Sequence, residues 1–324
     1  MVNLLSALTG ASSIGLALNI GANNSAAEMG PAYGAGIRSR RQSLVLIAVF
    51  CTLGASLAGH RVLETVGRGL VGTGTLSGHP AGALVVVLTA VCVIGLANAL
   101  RLPISTAHTV VGATVGLGLF YGTANLPLLR ALIGWWVVTP VVSLAVSYAL
   151  GRLAYPRLVT NFGRLSSEKT AYRVIGWSVT LSGCWMAFSA GSNSLAKALG
   201  PAVGAGVFGS TTGAIIGGLA MAAGALVLGG RVMKTVGKEI TSVCPLCAIL
   251  VELVSASIVF TASRFGMPVS LTEIVTCSVI GFGLAANGVR RTTGNHHVRR
   301  IMVLWPAAPV TSAAIAMGLQ SVLR

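Results

Sequence analysis

The sequence predicts an all-α polytopic membrane protein made of two inverted repeats, and three observations support this prediction. The 324-residue chain is 54% hydrophobic and only 9% charged, whereas a soluble domain carries about 25% charged residues. Apolar runs such as residues 81–100 are long enough to cross roughly 30 Å of hydrocarbon as helices. In addition, blocks of the first half recur in the second half in the same order.

Ten apolar runs are candidate membrane spans. They lie near residues 4–20, 43–59, 82–100, 104–121, 132–150, 172–190, 209–228, 246–262, 270–286 and 302–322. Of the 22 Lys and Arg residues, sixteen fall in odd-numbered loops, and the remaining six fall in even-numbered loops or at the C-terminus. Because basic loops stay in the cytoplasm, we expect a multi-pass protein of the plasma (inner) membrane with both termini outside.

The formal net charge of +16 does not indicate a nucleic-acid-binding protein. The basic residues lie between apolar spans and form no patch interleaved with aromatic residues. Membrane topology accounts for them, and lipid is the expected surrounding.

The six cysteines lie mostly within the predicted spans. Residues 244–247 form a lone CxxC, and the chain holds only five histidines. Because a zinc site needs about four ligands, we expect these cysteines to pack as small apolar side chains and to bind no metal.

The internal repeat is clearest in one block. "GANNSAAEMGPAYGAG" (21–36) aligns without gaps with "GSNSLAKALGPAVGAG" (191–206), and three further blocks recur at nearly the same offset. The repeats are then residues 1–160 and 161–324, with five spans each. Since an odd number of spans reverses the second copy, the repeats are expected to be inverted. Inverted repeats are typical of secondary transporters, whose substrate site lies near the bilayer midplane.

Glycine and asparagine at residues 21–24 and 191–194 predict two breaks in membrane helices. Both residue types leave the α-helix at low cost, and the freed backbone groups are tolerated at this depth only in a cavity or inside the protein. The short helices that follow are expected to end at Pro31 and Pro201. Asn23, Asn193 and Ser194 are therefore candidate substrate-binding residues.

Two proline-led segments predict helix starts with hydroxyl side chains. Pro103 is followed by Ser105 and Thr106, and Pro268 is followed by Ser270 and Thr272. A helix N-terminus with a hydroxyl is an anion site, so two facing starts would bind one small oxyanion. The alternative is that these hydroxyls only bond to carbonyls of their own helices.

Five ionisable or polar residues are candidates for ion coupling: Asn24, Glu28, His108, Lys197 and Glu273. Glu28 and Lys197 either pair with each other or snorkel to an interface, or Lys197 serves as a cation near the substrate. His108 and Glu273 hold equivalent positions and suit proton coupling, although His108 has the alternative of a bond to a carbonyl. Glu252 is either a further relay or a structural contact.

At these residues the chain resembles the inorganic phosphate transporter (PiT) family, whose halves carry a GAN(D/N)-type signature and a P-x-S-T-x-H segment. The matching stretches are residues 21–36, 103–116 and 187–206. Residues 231–241, 265–269 and 281–288 look especially like the bacterial sulfate-permease branch. The resemblance extends over essentially the whole chain and implies cation-coupled uptake of a tetrahedral oxyanion.

The resemblance also implies roles for single residues. Sodium-coupled members carry Asp where this chain has Asn24, so we expect protons rather than sodium to drive transport; the chain contains no Asp at all. The family's anion-binding positions correspond to Ser105 and Thr106, and to Ser270 and Thr272, where Leu271 departs from the first copy. Lys197 departs from the polar residue expected there.

The sequence thus predicts a secondary active transporter, not an enzyme, that imports sulfate by proton symport without a cofactor. Sulfate has no proton to donate at neutral pH, so its site should offer donors only, whereas an ionised carboxylate would favour hydrogen phosphate. Phosphate or bicarbonate transport, coupled to sodium or protons, is the alternative. An anion channel is the alternative of a different class. A homodimer would supply the scaffold that such transporters need.

Overall fold

The structure, a computed structural model, describes residues 2–72, 74–99, 104–163, 167–230, 244–288 and 296–323. Within these ranges the regular structure is helical apart from an isolated antiparallel bridge between Val71 and Ala124. The predicted all-α class is confirmed, and each of the ten predicted spans overlaps a helix.

The helices of the first half are α1 (Val2–Gly34), α2 (Arg40–Ala58), α3 (His60–Glu64, continued by a π-helical turn at Thr65–Gly69), α4 (Thr75–Gly78), α5 (Pro80–Ala99), α6 (Thr106–Phe120), α7 (Leu126–Leu153) and α8 (Tyr155–Gly163). Those of the second half are α9 (Glu168–Gly204), α10 (Ser210–Gly224, continued by a π-helical turn at Ala225–Gly229), α11 (Pro245–Arg264), α12 (Leu271–Asn287) and α13 (His296–Val322).

Five helical segments within the described residues are long and apolar enough to cross a membrane. They are Leu4–Gly34, Arg40–Ala58, Leu126–Leu153, Ser210–Gly229 and Pro245–Arg264. Large apolar side chains such as Val137 and Val141 of α7 are more than half exposed. An apolar outer surface of this kind is what a helical membrane protein presents to lipid.

Helices at equivalent positions of the two halves pack reciprocally. The helix α1 packs against α10 and α9 packs against α2, while α6 packs against α13 and α12 packs against α7. The main core lies where α1 and α9 meet these partners, and it includes Leu16, Ile20, Leu195 and Leu199. Each half therefore supplies helices to the packing of the other.

The predicted breaks in the two GxN segments are wrong. The helix α1 runs unbroken through residues 21–24 and Pro31, and α9 runs through residues 191–194 and Pro201. Glycine serves close packing here: a Cβ at Gly21 would collide with the backbone of Met221, and one at Gly191 with the backbone of Cys51.

The two helices end three residues after their prolines, in the same way. Gly36 and Gly206 adopt positive φ angles of 70° and 76°. The N–H of Ile37 donates to the Ala32 carbonyl at 3.0 Å, and the N–H of Val207 donates to the Ala202 carbonyl at 2.9 Å. This bonding pattern is the Schellman motif, which glycine permits because it has no Cβ.

The expectation that the cysteines only pack is wrong for two of them. Cys244 and Cys247 form a disulfide at the N-terminus of α11, because the helical turn that begins at Cys244 brings the two side chains together. Cys51 and Cys184 are buried and free, as expected. Within the described ranges no group of three or more His, Cys, Asp or Glu side chains is close enough to hold a metal ion.

Candidate functional site

Two helices start with the same serine cap. The Ser105 hydroxyl oxygen accepts a hydrogen bond from the N–H of His108 at 3.3 Å, and the Ser270 oxygen accepts one from the N–H of Glu273 at 3.4 Å. Both serines have extended backbone angles, as N-cap residues do. The predicted helix starts of α6 and α12 are thus confirmed, while Pro103 lies outside the described residues.

The third residues of these two helices meet. His108 Nδ1 lies 3.3 Å from Glu273 Oε1. The Ser270 and Ser105 hydroxyls also interact with the Glu273 carboxyl group. His108 is 4% exposed and Glu273 is 2% exposed. A carboxyl group from the second half therefore lies between the two helix starts, shielded from solvent.

Lys197 of α9 brings a buried cation to the same place. Its side chain is 1% exposed, and its ammonium interacts electrostatically with Glu273 and His108. Lys197 Nζ lies 3.4 Å from Ser194 Oγ, which also accepts a hydrogen bond from Asn24 Nδ2 at 3.1 Å. The helices α1, α6, α9 and α12 thus all contribute to one polar cluster.

We call the following residues the polar cluster: Asn24, Ser105, His108, Ser194, Lys197, Ser270 and Glu273. Apart from the Glu273 carboxyl group, its side chains offer hydrogen-bond donors: three hydroxyls, an amide, an imidazole and an ammonium. Donors at two helix N-termini beside an ammonium form a site suited to an oxyanion. Such a site can bind an anion.

His108 is fixed in place by the last helix and by α7. Its Nδ1 lies 3.1 Å from the Trp305 carbonyl oxygen, and since a carbonyl only accepts, Nδ1 carries the hydrogen of that bond. The imidazole ring lies against the Trp136 ring, with centroids 4.1 Å apart. The predicted alternative of a bond from His108 to a carbonyl is confirmed, and proton coupling through His108 stays a prediction.

Sequence reasoning missed the two tryptophans, although a signal was present. Trp136 and Trp305 are the first residues of a repeated block at an offset of 169. Trp136 Nε1 also donates to the Pro268 carbonyl at 2.8 Å, which ties α7 to the segment before α12. The block indicates duplication, and it also marks two residues that contact His108.

Asn193 and Asn23 have different environments in spite of their equivalent positions. The Asn193 amide donates to Ser263 Oγ at 3.1 Å and to the Met267 carbonyl at 3.0 Å, and its oxygen accepts from the N–H of Val269 at 3.1 Å. Asn193 therefore connects α9 to the segment that leads into α12. The side chain of Asn23 is exposed.

The structure does not bring Thr272 into the polar cluster. Its side chain is exposed, whereas those of Ser270 and Glu273 are buried. Successive side chains of a helix point in directions about 100° apart, and residues three apart lie on the same face. Ser270 and Glu273 therefore face the cluster, while Thr272 faces away. Thr106, the first residue of α6, is half-buried beside Ser105.

Glu28 and Lys197 do not pair, and neither snorkels to an interface. Both are 1% exposed, and the two carboxylate oxygens of Glu28 have no hydrogen-bond partner in the described part of the chain. The two residues are not at equivalent positions of the repeat but one position apart, because Glu28 aligns with Ala198 and Lys197 aligns with Ala27. They therefore project from different faces of α1 and α9, and Lys197 approaches Glu273 instead.

Glu252 makes a structural contact. The Ser182 hydroxyl of α9 donates to Glu252 Oε2, and the carboxyl group borders a cavity of about 20 Å³ whose other lining residues, such as Met186 and Val275, are apolar. Its second oxygen has no hydrogen-bond partner among the described residues. The structural alternative for Glu252 is confirmed, and a relay role stays a prediction.

Comparison with known proteins gives consistent matches over nearly the whole chain. The model of the phosphate transporter family (PHO4) matches residues 20–316. The chain is 35% identical to the sulfate permease CysP of Bacillus subtilis, over 95% of this chain and 85% of that protein. It is 25% identical to the chloroplastic inorganic phosphate transporter 2-1 of Arabidopsis thaliana, over 93% of this chain and 69% of that protein.

One solved structure has the same fold. It is described as the sodium-dependent phosphate transporter, and the match has a TM-score of 0.84 at 24% identity over 99% of both chains. At this identity the likeness establishes the arrangement of the helices.

The contrast between the two asparagines gives a testable prediction. Asn193→Ala removes three hydrogen bonds, two of them to backbone groups, so it should lower the free energy of unfolding by about 1–3 kcal/mol. Asn23→Ala alters an exposed side chain and should leave stability unchanged within about 0.5 kcal/mol. Thermal unfolding of the purified protein in detergent measures both variants, and equal shifts would contradict the assigned role of Asn193.

Proposed function

This chain belongs to the phosphate transporter family, and we propose that it is a secondary active transporter that imports sulfate together with protons. The family and its relatives are membrane transporters, so the chain is a multi-pass membrane transporter of a phosphate- or sulfate-type anion. The choice of sulfate, the coupling ion and the roles of single residues are the proposal.

The polar cluster is the observation that supports the proposal most directly. Ser105 and Ser270 cap two helices whose first turns meet where His108 contacts Glu273, and Lys197 brings a buried amine to the same cluster. Positive helix ends aimed at an anion in the middle of the membrane are a recurrent device of secondary transporters. A tetrahedral oxyanion between the two caps would accept bonds from both hydroxyls and from the ammonium.

Sulfate is favoured over phosphate by the donor set and by similarity. Lys197 supplies a cation that compensates a dianion, and sulfate needs donors only, since it has no proton to donate at neutral pH. The sulfate permease of Bacillus subtilis is 35% identical to this chain. Phosphate is the second candidate, because phosphate permeases and transporters are also among the relatives and an ionised Glu273 would accept a bond from hydrogen phosphate.

Protons are favoured over sodium by what surrounds position 24. Asn24 is neutral, and its amide NH2 group points to Ser194 as a donor, whereas sodium needs oxygen acceptors and is bound more strongly when one of them is a carboxylate. Lys197 Nζ occupies the same neighbourhood, where a second cation would be repelled. His108 and Glu273, 3.3 Å apart in the same cluster, are the side chains that we propose to carry the proton.

Reciprocal packing of equivalent helices supports the proposed inverted repeats, residues 1–160 and 161–324. The pair α6 and α13 corresponds to the pair α12 and α7, and both serine caps recur at an offset of 165. The cluster then lies at the interface of the repeats. The orientation with both termini outside and the homodimer stay predictions.

Uptake of radiolabelled sulfate into proteoliposomes tests the proposal. We expect saturable accumulation when the outside is made acidic, with phosphate as the weaker competitor and no stimulation by a sodium gradient. Accumulation that requires sodium would contradict protons as the coupling ion. Accumulation that unlabelled phosphate inhibits more strongly than unlabelled sulfate would contradict sulfate as the transported anion. A leak independent of both gradients would indicate a channel.

Ser270 and Thr272 provide a matched pair of variants on one helix turn. Ser270→Ala removes a hydroxyl from the proposed anion site and should raise the sulfate concentration for half-maximal uptake about tenfold, the equivalent of one hydrogen bond to a charged group. Thr272→Ala, on the outward face, should leave it unchanged. An equal effect of both, measured at equal protein stability, would contradict the placement of the anion between the caps.

A further inference from the structure

The donors that would bind a transported oxyanion are engaged by the protein's own carboxyl group. Glu273 Oε1 lies 3.3 Å from His108 Nδ1, and the N–H of Glu273 donates to Ser270 Oγ at 3.4 Å. The carboxyl group also interacts with the hydroxyls of Ser105 and Ser270 and with the ammonium of Lys197. The carboxyl group thus lies at the place where an oxyanion would find its partners.

We propose that Glu273 is a tethered competitor of the transported anion: its carboxylate holds the oxyanion position in the unloaded protein, and its protonation yields that position to the substrate. The inference rests on the proposed anion transport and gives that site its coupling mechanism. It assigns Glu273 a role opposite to that of a ligand, because substrate and carboxylate exclude each other.

The geometry supports competition because the cluster is closed around the carboxyl group. Ser105 is fully buried, Lys197 is 1% exposed and Glu273 is 2% exposed, so a tetrahedral anion enters only if the carboxyl group moves. An ionised carboxylate beside a dianion is repelled by it in surroundings of low dielectric constant. The two anions therefore cannot occupy the cluster together.

The proton balance of the exchange is simple. The carboxylate gains one proton and becomes a neutral acid, which no longer attracts Lys197 and is a weaker acceptor for the neighbouring hydroxyls. The anion then accepts the bonds that are released. When the proton leaves, the carboxylate returns and the anion is displaced, so Glu273 accounts for one proton taken up per anion bound.

Side chains of neighbouring helices influence the protonation of Glu273. Lys197 faces it from α9 and His108 faces it from α6, while Cys277 lies one turn along α12. On the α7 side, α12 is joined by neutral hydroxyls: Ser143 and Ser147 contact Ser278 at 2.8 and 2.9 Å. Among the described residues, Lys197 and His108 are thus the ionisable groups of neighbouring helices that act on Glu273.

Glu252 is the internal comparison. It is also a buried carboxyl group, at 2% exposure. Its hydrogen-bond partner, however, is the Ser182 hydroxyl of α9, which packs against the helix α11 that carries Glu252. It lies outside the polar cluster and contacts neither serine cap. A change that removes its charge therefore tests the general effect of losing a buried carboxylate without touching the anion position.

Proton-linked sulfate binding to the purified protein tests the inference. Titration calorimetry with sulfate, in two buffers of different ionisation enthalpy and between pH 6 and pH 8, gives the Kd and the protons taken up. For the wild type we expect about one proton per sulfate and, where Glu273 is ionised, a Kd that rises about tenfold per pH unit. Glu273→Gln should bind sulfate with a Kd independent of pH and without proton uptake, while Glu252→Gln should behave as the wild type does.

The outcomes separate this inference from the proposed function. A wild type that binds sulfate without taking up protons overturns the inference and leaves sulfate transport standing, whereas a wild type that binds no sulfate overturns the proposed function. A Glu273→Gln protein that keeps the wild-type proton uptake also overturns the inference. If Glu273→Gln does not fold, His108→Gln decides: proton uptake that persists without the imidazole supports Glu273, and uptake that is lost overturns the inference.

Discussion

The buried ammonium of Lys197 is the constraint on which the rest of the site depends. A cation that is 1% exposed inside an apolar helix bundle needs compensation from its surroundings, because burial has removed the water molecules that would solvate its charge. Glu273 supplies the opposite charge, and the Ser194 hydroxyl supplies an acceptor. Ser194 lies on α9 itself and Glu273 lies on α12, so the buried side chain of Lys197 links α9 to the first turn of α12.

Close packing through glycine makes this arrangement possible. Gly191 lets α9 approach the backbone of Cys51 in α2, and Gly21 lets α1 approach Met221 in α10. Both long helices therefore stay continuous while they cross the centre of the molecule and present Asn24, Ser194 and Lys197 from their sides. The free backbone N–H groups of the site come from the capped starts of α6 and α12 instead.

The sequence predicted the parts of the site that follow from local chemistry and from the repeat. Serine before a helix is a cap wherever it occurs, so Ser105 and Ser270 were found, and the repeat placed His108 opposite Glu273. The helix breaks were mispredicted because a Gly-Asn pattern is the same for a break and for close helix packing. The predicted Glu28–Lys197 pair was wrong because the direction in which each side chain leaves its helix, and not proximity within a motif, decides which side chains meet.

The chemistry of the site lies in the differences between the two halves. Equivalent positions hold His108 and Glu273, Ala27 and Lys197, and Asn24 and Ser194, so a symmetric framework carries an asymmetric set of charges.

Location of the anion itself tests this account most directly. An experimental structure with selenate, which scatters anomalously, should show a peak between the Ser105 and Ser270 hydroxyls and Lys197 Nζ, with Glu273 turned away. A peak elsewhere, with Glu273 still beside both serines, would contradict it.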